Sequence, residues 1–307
     1  MTLDFHQSRT RVAWCGLIAV TLVTAAGWAR ADSKKSPNPA VATGSTAAAP
    51  LRSVSIEEAL QLTKKSPKDP NAYLALGGAY RRAGRFDDAV EAFKKMVLLE
   101  PKNSTAHVSL GAVYMDLKRP DDAEREFQKA LRLNSKDPAA HFNLGNFYLS
   151  KSRRDDALGE FRKATELKYP LPDAWVNYAL IQGELGKPEE ASAAFKKALE
   201  IDSTNVRALT NLGNVLYSLQ RIPEATALYR KALKYDPKSQ EANYNLGVAF
   251  ADAQIYKQAL SYWKRVVEID STSEVGGNAQ SSIQVLEDFL KAQGSGSAPA
   301  GAASEKH

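Results

Sequence analysis

Residues 104 to 137 read STAHVSLGAVYMDLKRPDDAEREFQKALRLNSKD, and Ala123 within them belongs to a series that decides the fold. Ala89, Ala123, Ala157, Ala191, Ala225 and Ala259 stand 34 residues apart without a slip. Four residues after each comes Phe93, Phe127, Phe161, Phe195, Tyr229 or Trp263, and three further on Met96, Ala130, Ala164, Ala198, Ala232 or Val266. Steps of four and three return to the same side of an α-helix, so each unit holds a helix with a small, large, small apolar stripe.

Upstream of these helices lie Leu76-Gly77, Leu110-Gly111, Leu144-Gly145, Leu212-Gly213 and Leu246-Gly247, followed three residues later by Tyr80, Tyr114, Tyr148, Leu216 and Phe250. A glycine inside a helix costs about 1 kcal/mol relative to alanine, so its recurrence needs a reason. Close approach of the two helices of a unit supplies one. The fourth unit departs, with Tyr178-Ala179 and Gln182 at these places, and its packing is expected to be looser or locally rearranged.

Counted from Pro70 as position 1, this pattern resembles the tetratricopeptide repeat: bulky at 4, Leu-Gly at 7 and 8, Tyr at 11, Ala at 20, aromatic at 24, Ala at 27 and often Pro at 32. Six units follow, 70–103, 104–137, 138–171, 172–205, 206–239 and 240–273. The resemblance implies an all-α fold, a right-handed α-solenoid of helix-turn-helix repeats, here expected over residues 54–292. Ile56, Ala59, Leu60 and Leu62 mark a half-repeat at 55–65, and Ile283, Leu286, Phe289 and Leu290 a capping helix at 274–292, where a stack must end in water.

The ends have a different character. Arg9 and Arg11 precede an apolar run from Val12 to Ala29, which closes on Ala29-Arg30-Ala31, the layout of a secretory signal with cleavage after Ala31. The same run retained as an anchor gives about 27 Å of helix against a hydrocarbon core of about 30 Å. Both readings put the repeats outside the cytoplasm, periplasmic or secreted, or held to the inner membrane by the leader. Residues 32–53 and 293–307, rich in Ser, Pro, Ala and Gly, lack the apolar surface that offsets ordering entropy and read as a disordered linker and tail.

Charge and composition exclude several roles. The 41 Lys and Arg exceed the 35 Asp and Glu by a margin too small, over a long surface, to imply a nucleic-acid partner. The one cysteine, Cys15, lies in the leader, so a processed chain has neither disulfide nor thiolate site. His107 and His141 both take position 4, and the repeat explains their spacing without a metal; no glycine-rich phosphate loop or Ser-His-Asp arrangement occurs. No catalytic residue, metal or cofactor is expected.

In tetratricopeptide stacks positions 2, 5, 6, 9, 12 and 13 of the first helix face the concave groove. Position 6 carries Asn143, Asn177, Asn211 and Asn245, and position 9 adds Asn146 and Asn214. An amide offers donor and acceptor together, so such a ladder pairs with the backbone of an extended peptide whatever its sequence. It is similar to the ladder in the repeat domain of O-linked N-acetylglucosamine transferase. Phe142, Tyr217 and Tyr244 are expected to add apolar surface, and Arg207 a cation, although Phe142 and Asn211 stand where a carboxylate clamp wants cations. The alternative, amides that only bond neighbouring helices, stays open. The implied function is a non-catalytic scaffold or adaptor holding another protein's extended segment; the alternative is an accessory subunit of an envelope biogenesis or secretion complex, docking folded partners or cell-wall polymer by its convex face.

Overall fold

The computed structural model describes residues 54–167 and 171–294, and among them it contains fourteen α-helices and no strand. The expected leader with Cys15, the linker, and all but the first two residues of the tail lie outside the described residues. The helices are α1 (Ile56–Lys65), α2 (Pro70–Arg82), α3 (Phe86–Leu99), α4 (Ser104–Asp116), α5 (Pro120–Leu133), α6 (Pro138–Ser150) and α7 (Arg154–Glu166). There follow α8 (Pro172–Glu184), α9 (Pro188–Ile201), α10 (Val206–Ser218), α11 (Ile222–Tyr235), α12 (Gln240–Asp252), α13 (Tyr256–Ile269) and α14 (Glu274–Gly294). The fold is an all-α solenoid of paired helices. No helix among the described residues is long and apolar enough to cross a membrane.

Local chemistry sets the start and end of each helix. The side chains of Asp69, Asp137, Asn205 and Ser239 accept from main-chain N–H groups in the first turns of α2, α6, α10 and α12, satisfying donors that a helix cannot pair internally. Each first helix stops at position 15, where Gly84, Lys118, Ser152, Gly186, Gln220 and Gln254 adopt φ between 56° and 72°. Only glycine adopts that conformation without strain, so two of the six turns are relaxed and four are not. The chain then re-enters: the N–H of Arg85, Arg119 and Arg153 donates to the carbonyl of Tyr80, Tyr114 and Tyr148, at 2.8 to 2.9 Å. The same arginines lie over those tyrosine rings, 4.3 to 4.7 Å from the centroid, closing the turn by cation–π contact.

The recurring glycine at position 8 has a more specific cause than helix proximity. A Cβ on Gly77, Gly111 or Gly145 would stand 2.5 to 2.7 Å from the ring of Phe93, Phe127 or Phe161. Gly213 and Gly247 meet Tyr229 and Trp263 in the same way. The position-24 aromatic thus enters a notch that only glycine leaves open. Its flanking alanines, from Ala89 to Ala259, are fully buried, as are Phe93, Phe127, Phe161 and Phe195. In the fourth unit Gln182 replaces the aromatic of position 11; its Nε2 donates to Tyr178 Oη at 2.8 Å, and its Oε1 is buried without a partner.

The described residues fall into two compact units, 54–182 with 200–202, and 183–199 with 203–294. Within the first, the first helices α2, α4 and α6 lie side by side, and the second helices α3 and α5 each pack between two first helices, α3 against α2 and α4, α5 against α4 and α6. Within the second, α10, α12 and α14 are neighbours, with α11 and α13 wedged between them. In each unit the first helices therefore share one surface.

Candidate functional site

Positions 6 and 9 are three residues apart and occupy one side of a first helix. Across neighbouring helices the structure joins them in pairs. Asn177 Nδ2 on α8 donates to Asn146 Oδ1 on α6 at 2.9 Å, and Asn245 Nδ2 on α12 donates to Asn214 Oδ1 on α10 at 2.7 Å. Both pairs are 31 residues apart and lie within a single unit, one pair in each.

The other two position-6 amides behave differently. On the helix beside Asn143, position 9 is Ala112, which cannot accept a hydrogen bond through its side chain. Asn143 Nδ2 therefore turns back to the carbonyl of Ala139 on its own helix at 2.7 Å, and Asn211 Nδ2 likewise donates to that of Arg207 on its own helix at 2.9 Å. The expected even ladder is thus two bridged pairs with two amides folded onto their own helices.

The remaining candidates separate. Phe142 is buried in the core, 5.9 Å from the Phe161 ring, and Tyr244 is buried with its ring 6.3 Å from Trp263 and its hydroxyl 3.3 Å from Ser282 Oγ. Both face inward because position 5 looks toward the second helix, so neither supplies the surface expected of it. Tyr217 is partly exposed, and its hydroxyl donates to Asp252. Arg81 and Asp116 form an ion pair with the same 35-residue offset. Arg207 is partly buried.

A second arrangement escaped the sequence reading. His107 Nδ1 lies 2.6 Å from Glu126 Oε2, and Lys129 Nζ lies 2.7 Å from Glu126 Oε1; His141, Glu160 and Lys163 repeat this at 2.6 and 2.8 Å. The other ring nitrogens face the carbonyls of Pro101 and Ser135, at 3.4 and 3.1 Å. A carbonyl and a carboxylate only accept, so each ring lies between two acceptors. Burial works to raise the two carboxyls, but the hydrogen bonds from His107 and Lys129, and from His141 and Lys163, outweigh it and hold both below the ordinary carboxylate range. The legible signal was an acidic residue 19 positions after each histidine, repeated at 34. Among the described residues no group of three or more His, Cys, Asp or Glu is placed to hold a metal ion.

Residues 32–283 match the protein family described as the cilia and flagella-associated protein 70 C-terminal domain. No curated protein sequence matches the chain. Among solved structures, the chain is similar to PilF of Pseudomonas aeruginosa, at 20% identity and a TM-score of 0.62, with 69% of this chain and 97% of that one covered. PilW, described as a widely conserved type IV pilus biogenesis factor, matches at 19% identity and a TM-score of 0.59, covering 69% and 98%. YrrB, described as a TPR protein with an unusual peptide-binding site, matches at 22% identity and a TM-score of 0.50, covering 62% and 99%. At these identities the likeness is one of fold.

Proposed function

Because the chain belongs to the tetratricopeptide-repeat family of the cilia and flagella-associated protein 70 C-terminal domain, we propose that it is a non-catalytic scaffold that holds an extended segment of another protein against its first-helix surface. The observation that carries this reading is the pair of amide bridges. Each bridge uses one donor of Asn177 or Asn245 and one acceptor lone pair of Asn146 or Asn214, and each leaves a donor and an acceptor of the same two side chains without a partner among the described residues. A polypeptide main chain needs that combination. The peptide-binding site in the description of YrrB and the pilus biogenesis role in that of PilW agree with a protein partner.

The scaffold acts outside the cytoplasm on this reading, delivered by the leader that ends at Ala31 and followed by a linker over 32–53. Cleavage gives a mature chain beginning at Asp32, whereas retention of Val12 to Ala29 as an anchor keeps the repeats at the inner membrane.

Capture of binding partners from native envelope extracts tests the reading. Full-length protein is compared with a variant carrying Asn146→Ala, Asn177→Ala, Asn214→Ala and Asn245→Ala, with thermal unfolding as a check on the fold. Partners retained by the parent protein are expected to be lost from the variant. Equal retention of the same partners by a folded variant contradicts the reading.

A further inference from the structure

We propose that the two bridged amide pairs are separate main-chain-binding stations, one in each unit, and that Tyr229 is a positioning residue that makes the second station the stronger. This rests on the scaffold reading above and adds to it how the main-chain-binding surface is divided and which residue orders one part of it.

The stations are defined by what each bridge leaves over. At the first, Asn146 keeps its Nδ2 group and Asn177 its Oδ1; at the second, Asn214 keeps Nδ2 and Asn245 keeps Oδ1. Asn146, Asn214 and Asn245 are partly exposed, whereas Asn177 is 7% exposed. An extended residue offers one N–H and one C=O, so a neighbouring acceptor and donor take both without reading a side chain. Asn143 and Asn211 form no bridge and spend their donors on their own helices. Recognition is therefore concentrated in two places rather than spread along four repeats.

The stations differ in one hydroxyl. Tyr229, 1% exposed, donates its Oη–H to Asn214 Oδ1 at 2.9 Å, so that oxygen accepts two bonds and the amide plane is fixed. Burial raises the phenol well above its ordinary range, and the hydroxyl stays a donor. At the first station the same position of the repeat holds Phe161, and Asn146 Oδ1 accepts from Asn177 alone. A side chain already fixed loses less freedom when it binds, which favours the second station.

The test uses full-length 15N-labelled protein and two probes: an acetylated, amidated 12-residue peptide of alternating Ser and Ala, and the same peptide N-methylated at every second residue. The side-chain NH2 resonances of Asn146 and Asn214 are followed. Both are expected to shift with the parent peptide, Asn214 saturating at about fivefold lower concentration, and neither with the N-methylated one. Tyr229→Phe, whose backbone spectrum reports that the fold is kept, is expected to bring the two dissociation constants together. Equal constants in the unaltered protein, or no effect of Tyr229→Phe, overturn the positioning role. An undiminished response to the N-methylated peptide overturns main-chain recognition. Shifts on the first-helix surface that spare both amide pairs remove the stations and leave the scaffold reading standing, whereas no shift on that surface removes both.

Discussion

Glu126 Oε2 stands 2.6 Å from His107 Nδ1, and one repeat further along Glu160 stands at the same distance from His141. Each pair ties the first helix of its repeat to the second, α4 to α5 and α6 to α7, and the second ring nitrogen faces the loop entering the repeat. Both carboxyls are depressed in the folded chain, despite burial, by their histidine and lysine partners.

A carboxyl depressed by folding stabilises the folded state above its ordinary value of 4.5, and that contribution is lost as pH falls through the folded-state values. Acid is therefore expected to loosen the second and third repeats. Amide protection over α4 to α7, with the intrinsic exchange rate divided out at each pH, is expected to fall more between pH 6 and pH 3 than over α10 to α13, where position 4 holds Leu209 and Asn243. The double variant Glu126→Gln, Glu160→Gln is expected to lose about 1.5–3 kcal/mol per site at pH 7 and to flatten this pH response. A response of the same steepness in the variant would locate acid sensitivity elsewhere.

Two glycines on first helices carry opposite expectations. Gly111→Ala drives a methyl into the Phe127 ring and is expected to destabilise by about 1–3 kcal/mol through overpacking. Gly78→Ala meets only the end of Arg82, at 3.5 Å, and is expected to stabilise by about 0.5–1 kcal/mol because alanine suits a helix interior better. Urea unfolding of the two variants measures both signs, and destabilisation of equal size at both positions would contradict the notch.

Position 15 offers a third contrast. Gln220 and Gln254 hold φ near 60° with a side chain attached, so Gln220→Gly is expected to raise stability by about 0.5–1 kcal/mol. Gly186→Ala, at φ 72°, is expected to lower it by about 1 kcal/mol. Thermal unfolding checks the pair.

These contrasts mark where reading the chain by its period succeeds. The 34-residue recurrence of Ala123 and Phe127 specifies a helix stripe by backbone geometry alone, so the all-α solenoid was legible without any contact. The partner of Gly111 was not, because the sequence reports that space is needed and not which ring fills it. Asn177 and Asn245 were legible as candidates, but that they donate to Asn146 and Asn214 while Asn143 and Asn211 bond their own helices depends on packing that no single residue reports. Phe142 and Tyr244 misled because position 5 borders both core and surface, and the packing of Phe161 and Trp263 decides the side. His107 looked like a substitute packing ring, and its ion pair appeared only once α5 brought Glu126 against it.

The central claim is that a partner chain lies on the first-helix surface. Photo-crosslinking in living cells tests it most directly, with a photoreactive residue placed at Ser150 or Ser218, exposed at the ends of α6 and α10, and in control proteins at Lys95 or Lys231, exposed on α3 and α11. Adducts with the same partner are expected from Ser150 and Ser218, lost when Asn146, Asn177, Asn214 and Asn245 are replaced by alanine. Adducts from Lys95 and Lys231 instead, with none from Ser150 or Ser218, would contradict the account.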